Sequence, residues 1–83
     1  MAEQQVGIIN EFFARINVAG VELSDTMRVG DTIHIKGHTT DFEQTVDSMQ
    51  IEHDTVEAAT SGQAVGIKVK DRVRQGDQVF KVT

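Results

Sequence analysis

Two stretches of this chain share one pattern, and that pattern constrains the fold more than anything else in it. Val29-Gly30-Asp31-Thr32-Ile33-His34-Ile35 is a Gly-Asp turn feeding an alternating strand, and Gly76-Asp77 leads in the same way into a short strand from Val79 to Val82. In the first of these strands Ile33 and Ile35 recur at every second position, so they share one face. Ahead of the second turn, Ile67 and Val69 alternate with Lys68 and Lys70. That segment has one apolar and one cationic face. Glycine and aspartate between such runs are hairpin punctuation.

The rest of the chain reads as more of the same. Val6 to Val18 is rich in Ile, Val and Phe. Its even positions suit one long strand, or two strands broken near Glu11. Ile8, Ile9, Phe12, Phe13 and Ile16 also fit helical spacing, and the strand reading is preferred because everything after it is strand-like. Val21 and Leu23 share a face, and Ser24-Asp25 is a turn. Val46 and Met49 break strict alternation, which a β-bulge near Ser48 would repair. His53-Asp54-Thr55 reads as a turn, and Val56 to Gly62 as a single helical turn stopped by glycine. Each glycine is expected at a turn, a bulge or a strand end. The sum is six or seven short strands with no long helix. That predicts an all-β fold, a small closed antiparallel Greek-key barrel, with Val18, Val21, Leu23, Ile33, Ile35, Val46, Ile67, Val69 and Val79 in its core.

Size and charge narrow the rest. At 83 residues the chain is one domain, 1–83, with residues 1–5 expected as a frayed end. It has no cysteine, so neither disulfides nor thiolate metal sites reinforce it, and a cytoplasmic location is expected. The N-terminus has no basic and apolar leader pattern, and no apolar run approaches the ~18 residues of a membrane span. A net charge of −5 disfavours diffuse binding to nucleic acid.

Three segments, Arg28 to Gly37, Thr45 to Gln50 and Val56 to Ile67, followed by Arg72 to Val79, resemble in order and spacing the second, β-barrel domain of translational GTPases of the elongation factor Tu type. The likeness runs roughly from Val18 to Val82 and extends to short, free-standing translation elongation factor-like proteins. It implies a non-catalytic binding module that contacts tRNA, rRNA or the ribosome. The alternative is a protein-interaction or accessory module without RNA binding. The chain has no G-x-x-x-x-G-K-[ST] phosphate loop, so it is expected neither to bind nor to hydrolyse GTP. No cofactor, no enzyme activity and no membrane partner are expected.

One basic cluster stands out. Lys68, Lys70, Arg72 and Arg74 are four of the eight Lys and Arg residues, within seven positions. On an extended segment they share a face and form the candidate RNA-binding patch. The competing reading is a solvated outer strand face. His34, His38 and His53 match no metal-ligand spacing and are read as surface histidines, so no metal site is expected. Ser24, Ser48 and Ser61 lack a nucleophile elbow. Asp25, Asp31 and Asp77 are read as turn formers.

Overall fold

The computed structural model describes residues 2–83. All regular structure among them is β. The strands are Glu3–Phe13 (β1), Val18–Leu23 (β2), Met27–Arg28 (β3), Thr32–Lys36 (β4), Asp41–Thr45 (β5), Met49–Ile51 (β6), Asp54–Val56 (β7), Ala58–Ala59 (β8), Ala64–Lys68 (β9) and Gln78–Val82 (β10). Eight of them form an antiparallel sheet in the order β5-β4-β10-β1-β2-β9-β6-β7, and β3 pairs with β8 in a small second sheet. Among the described residues no helix is long and apolar enough to cross a membrane.

The repeated turn is one device used twice. In Arg28-Val29-Gly30-Asp31 and in Arg74-Gln75-Gly76-Asp77, the aspartate N–H donates to the arginine carbonyl at 3.1 Å. The aspartate carboxylate then accepts the arginine N–H at 2.9 Å. The third residue has φ near +99° and +95°, a region open to glycine and costly to a side chain bearing Cβ. Thr60-Ser61-Gly62-Gln63 closes in the same way, with the Gln63 amide oxygen in the carboxylate's place. The Val56 to Gly62 segment, expected as a helical turn, therefore holds the short strand β8 and this turn.

Alternation then builds one core. Ala19, Val21 and Leu23 of β2, Ile33 and Ile35 of β4, Val65 and Ile67 of β9, and Val79 of β10 are buried together with Val6, Ile9, Met49 and Val73. Eight of the nine expected core residues are there. Val18 is the exception. It sits an odd number of positions from Val21, so the strand turns it to the outer face.

Other expectations shift by a residue or two. Glu3 to Gln5, expected to fray, pair with Phe80 to Val82; Met1 lies outside the described residues. The bulge expected near Ser48 is a break between β5 and β6, bridged where Val46 exchanges backbone hydrogen bonds with Gly30 and Asp31. The real irregularities lie in β1, between Gln5 and Gly7 and between Ile9 and Glu11, and they let one long strand serve both β10 and β2. The turn placed at His53 to Thr55 is centred on Glu52 and His53, both with positive φ. The eight-stranded sheet ends in β5 and β7 and is not itself hydrogen-bonded into a ring, as the expected closed barrel requires. From β5, however, the Gln44 amide donates to the Lys68 carbonyl and accepts the Lys70 N–H, both at 2.8 Å.

Candidate functional site

The outer face of β1, β2, β9 and β6 carries a groove. Its floor follows from register. Gly20 of β2 lies directly opposite Gly66 of β9, and Gly66 lies opposite Gln50 of β6. Both glycines stand in mid-strand, where none was expected. Neither carries a side chain, and neighbours fill part of that space: Asn10 Oδ1 lies over Gly20 and the Val18 side chain beside Gly66, and both glycines are half-buried. Phe13, Ile16 and Val18 wall one side, and Gln50, Glu52 and His53 the other, around a volume of ≈ 470 Å³.

The β1–β2 hairpin sets the apolar wall. Its loop closes with an Ile16 N–H to Phe13 carbonyl bond at 3.2 Å and with Asn17 in the left-handed region at φ 54°. Asparagine tolerates that conformation better than most residues. The Asn17 carbonyl also accepts the Val69 N–H at 2.8 Å, which ties the hairpin tip to the segment after β9. Phe13 and Ile16 remain 48% and 60% exposed. Large apolar side chains held open at a loop tip are a signature of a contact surface. Sequence reading missed this groove. Its one local signal is the pair of glycines inside otherwise regular strands.

The four residues of the basic cluster are all exposed and line neighbouring hollows. Lys68, Lys70, Arg72 and Arg74 all point outward, while Val69 and Val73 between them are buried. Lys70 and Arg72 share one hollow with Asp71 between them. Lys68 and Lys70 border a hollow shared with Gln44 and Asp47, and the Lys70 Nζ lies 5.8 Å from the Phe42 ring centre. Arg72 and Arg74 border another, shared with Asp41 and Asp71. Acidic groups brought in from β5 and its neighbouring loop lie beside the basic residues.

On the opposite flank of the sheet, His34 is pinned at both nitrogens. Its Nδ1 lies 2.8 Å from Glu3 Oε2 and its Nε2 lies 2.5 Å from Asp41 Oδ1. These hydrogen bonds, Asp41's first and Glu3's next, raise the imidazole pKa above its usual 6.5, and the bond from His34 lowers the Asp41 carboxyl below its usual value. A raised folded-state histidine pKa contributes stability that is complete below 6.5 and lost as pH rises through the raised value. The depressed Asp41 pKa contributes stability that is present above 3.8 and lost as pH falls through the lowered value. Asp41→Asn is therefore expected to destabilise most between about pH 4 and 6.5, and little in alkaline solution. It should also bring the His34 titration, followed by NMR, back down toward its ordinary range. A His34 titration unmoved by the substitution would show that the Asp41 contact does not control it.

No protein-family model matches the chain. It is 43% identical over 77 residues to an uncharacterized protease of Methanocaldococcus jannaschii, covering 92% of this chain and 19% of that protein. It is 40% identical over 73 residues to a collagenase of Porphyromonas gingivalis, covering 86% of this chain and 20% of the relative. The chain thus spans about a fifth of the length of the curated relatives it matches. These relatives overturn the likeness to translation factors, and with it the expected tRNA or ribosome module; relatives named as a protease and a collagenase also contradict the expectation of no enzyme activity. Among solved structures, the crystallised C-terminal domain of a Geobacillus thermoleovorans protein described as a U32 peptidase superposes with a TM-score of 0.91 at 22% identity. That match covers 96% of this chain and 93% of that one. A selenomethionine variant of the same domain superposes with a TM-score of 0.87. The chain therefore shares the fold of that C-terminal peptidase domain.

Proposed function

We propose that the chain is a module of U32-type peptidase machinery and that the groove over Gly20 and Gly66 receives an extended segment of the polypeptide being processed. The carrying observation is the 43% identity to a protease across nearly the whole chain. The groove supplies the physics. Phe13 and Ile16 offer exposed apolar anchors, and Asn10 and Gln50 offer amide groups that can hydrogen-bond a backbone laid between them. The name of the collagenase relative suggests denatured collagen as the first probe, because its extended, proline-rich chains enter a binding site with little conformational entropy left to lose.

The same proposal takes the sheet as curling into a closed barrel, with the Gln44 amide spanning the seam between β5 and the end of β9. It assigns Lys68, Lys70, Arg72 and Arg74 to acidic side chains of the bound polypeptide. The test is fluorescence anisotropy with labelled gelatin. The parent should bind saturably, and the double variant Phe13→Asp with Ile16→Asp should bind at least ~10-fold more weakly, equivalent to about 1.4 kcal/mol. Both side chains are exposed, so folding should survive, as circular dichroism would show. Lys70→Glu with Arg72→Glu should weaken binding only at low salt. Equal gelatin affinity in the hairpin variant would remove the groove from consideration.

A further inference from the structure

We propose that Glu3, His34 and Glu43 form a binding site for a divalent first-row transition metal ion on the outer face of the sheet, oriented by Asp41. Three strands bring the ligands together. Phe80 of β10 stands opposite both Gln5 of β1 and His34 of β4, and His34 stands opposite Glu43 of β5. Glu3 reaches the same spot from two residues along β1. One donor atom from each of Glu3, His34 and Glu43 lies within 4.8 Å of the other two. Around a tetrahedral ion with bonds of ~2.0–2.2 Å, ligand atoms stand about 3.4 Å apart. Glu3, at 2.8 Å from Nδ1, would move out by roughly 0.6 Å and the exposed Glu43 would swing in, while the ring stays in place.

The hydrogen bonding at His34 points to a cation. A neutral imidazole has one N–H and can donate to one carboxylate only. Here both nitrogens face carboxylate oxygens, Asp41 at Nε2 and Glu3 at Nδ1. If Nε2–H donates to Asp41, the Nδ1 lone pair meets a Glu3 lone pair 2.8 Å away unless something positive lies between them. A second proton can also fill that place, with the exposed Glu43 left to solvent; a metal ion would instead use all three donor atoms that the strands bring together. A metal ion at Nδ1 answers Glu3 and Glu43 together. Asp41 then plays the part of a carboxylate that holds a metal-bound histidine in one tautomer. Lys36 approaches Asp41, on the far side of the ring from Nδ1.

The donor set selects the ion. One imidazole and two carboxylates suit zinc or manganese; calcium wants six to eight oxygens and gains little from a nitrogen. This inference does not depend on the groove or on its occupant.

The experiment is calorimetric titration of chelator-treated protein with Zn²⁺ at pH 7.5, with Ca²⁺ as the comparison. One saturable Zn²⁺ site is expected, with Ca²⁺ at least ~100-fold weaker. Glu43→Gln, at an exposed position that should leave the fold intact, is expected to weaken Zn²⁺ at least ~10-fold, and Asp41→Asn by ~10–100-fold. His34→Gln should abolish binding, whereas His38→Gln with His53→Gln should leave it unchanged. Zinc should also shift the ring signals of His34 selectively by NMR. No saturable Zn²⁺ binding up to about 1 mM would overturn the site. So would Glu43→Gln binding like the parent, loss of binding in the His38 and His53 variant, or Ca²⁺ binding as tightly as Zn²⁺.

Discussion

Replacing Ile67 by alanine should lower the stability of the domain by about 2–5 kcal/mol. Ile67 is 1% exposed and sits in β9 between Ala19 of β2 and Met49 of β6. It therefore packs where three strands meet, and no neighbour can move into the space without disturbing the register of the other two. The loss combines the transfer energy of the removed carbons with the cavity left behind. An 83-residue domain has a total stability of roughly 4–12 kcal/mol, so the variant could lose half of it or more. Urea unfolding followed by circular dichroism measures the effect. Lys68→Ala, one residue on and exposed, is the control and should change stability by less than about 0.5 kcal/mol. A cost below about 1 kcal/mol at Ile67 would mean that the core is looser than its burial implies.

The second large effect is expected at Gly37. Its φ lies outside the left-handed region, so the backbone itself would accept alanine. The obstacle is Asp77. A Cβ on Gly37 would occupy the place of the Asp77 carboxylate, which is nearly buried and accepts the Arg74 N–H at 2.9 Å. The backbone of Asp77 is pinned as well, because its carbonyl accepts the Ile9 N–H at 2.8 Å. Gly37→Ala must therefore push the carboxylate off its hydrogen bond, at about 1–3 kcal/mol for overpacking and about 1–2 kcal/mol for the lost charged bond. The expected total is about 2–5 kcal/mol. Asp77→Ala alone should cost about 1–3 kcal/mol. In the double variant the Cβ has room, so the two costs should fall short of additivity by at least about 1 kcal/mol. Additive costs in a double-mutant cycle would show that the two residues do not compete for one space.

The turn chemistry explains why so much of the fold was legible in residue order. Arg28 to Asp31 and Arg74 to Asp77 fold the same way because glycine supplies the positive φ and aspartate returns a hydrogen bond within four residues. Alternation in Thr32 to Lys36 and in Ala64 to Lys68 is equally local, and both strands formed with the expected faces inward. The same properties made the likeness to translation factors misleading. Gly-Asp turns and alternating strands carry the geometry of a small antiparallel sheet, and unrelated functions are built on such a frame.

What each outward side chain meets was decided elsewhere. Lys68, Lys70, Arg72 and Arg74 are exposed as their spacing demands, and Asp41 and Asp47 arrive beside them from other parts of the chain. The sequence near His34 offers no ligand spacing, because Glu3 lies 31 residues away and reaches it only through β10 pairing with both β1 and β4. Gly20 and Gly66 look like interruptions until register sets them side by side. Sequence alone determined the turns, the strand faces and most of the core, since these depend on φ preferences and on a period of two within a few residues. Only the tertiary structure decided the groove and the His34 cluster, since cross-strand neighbours are set by register and strand order, which no local pattern encodes.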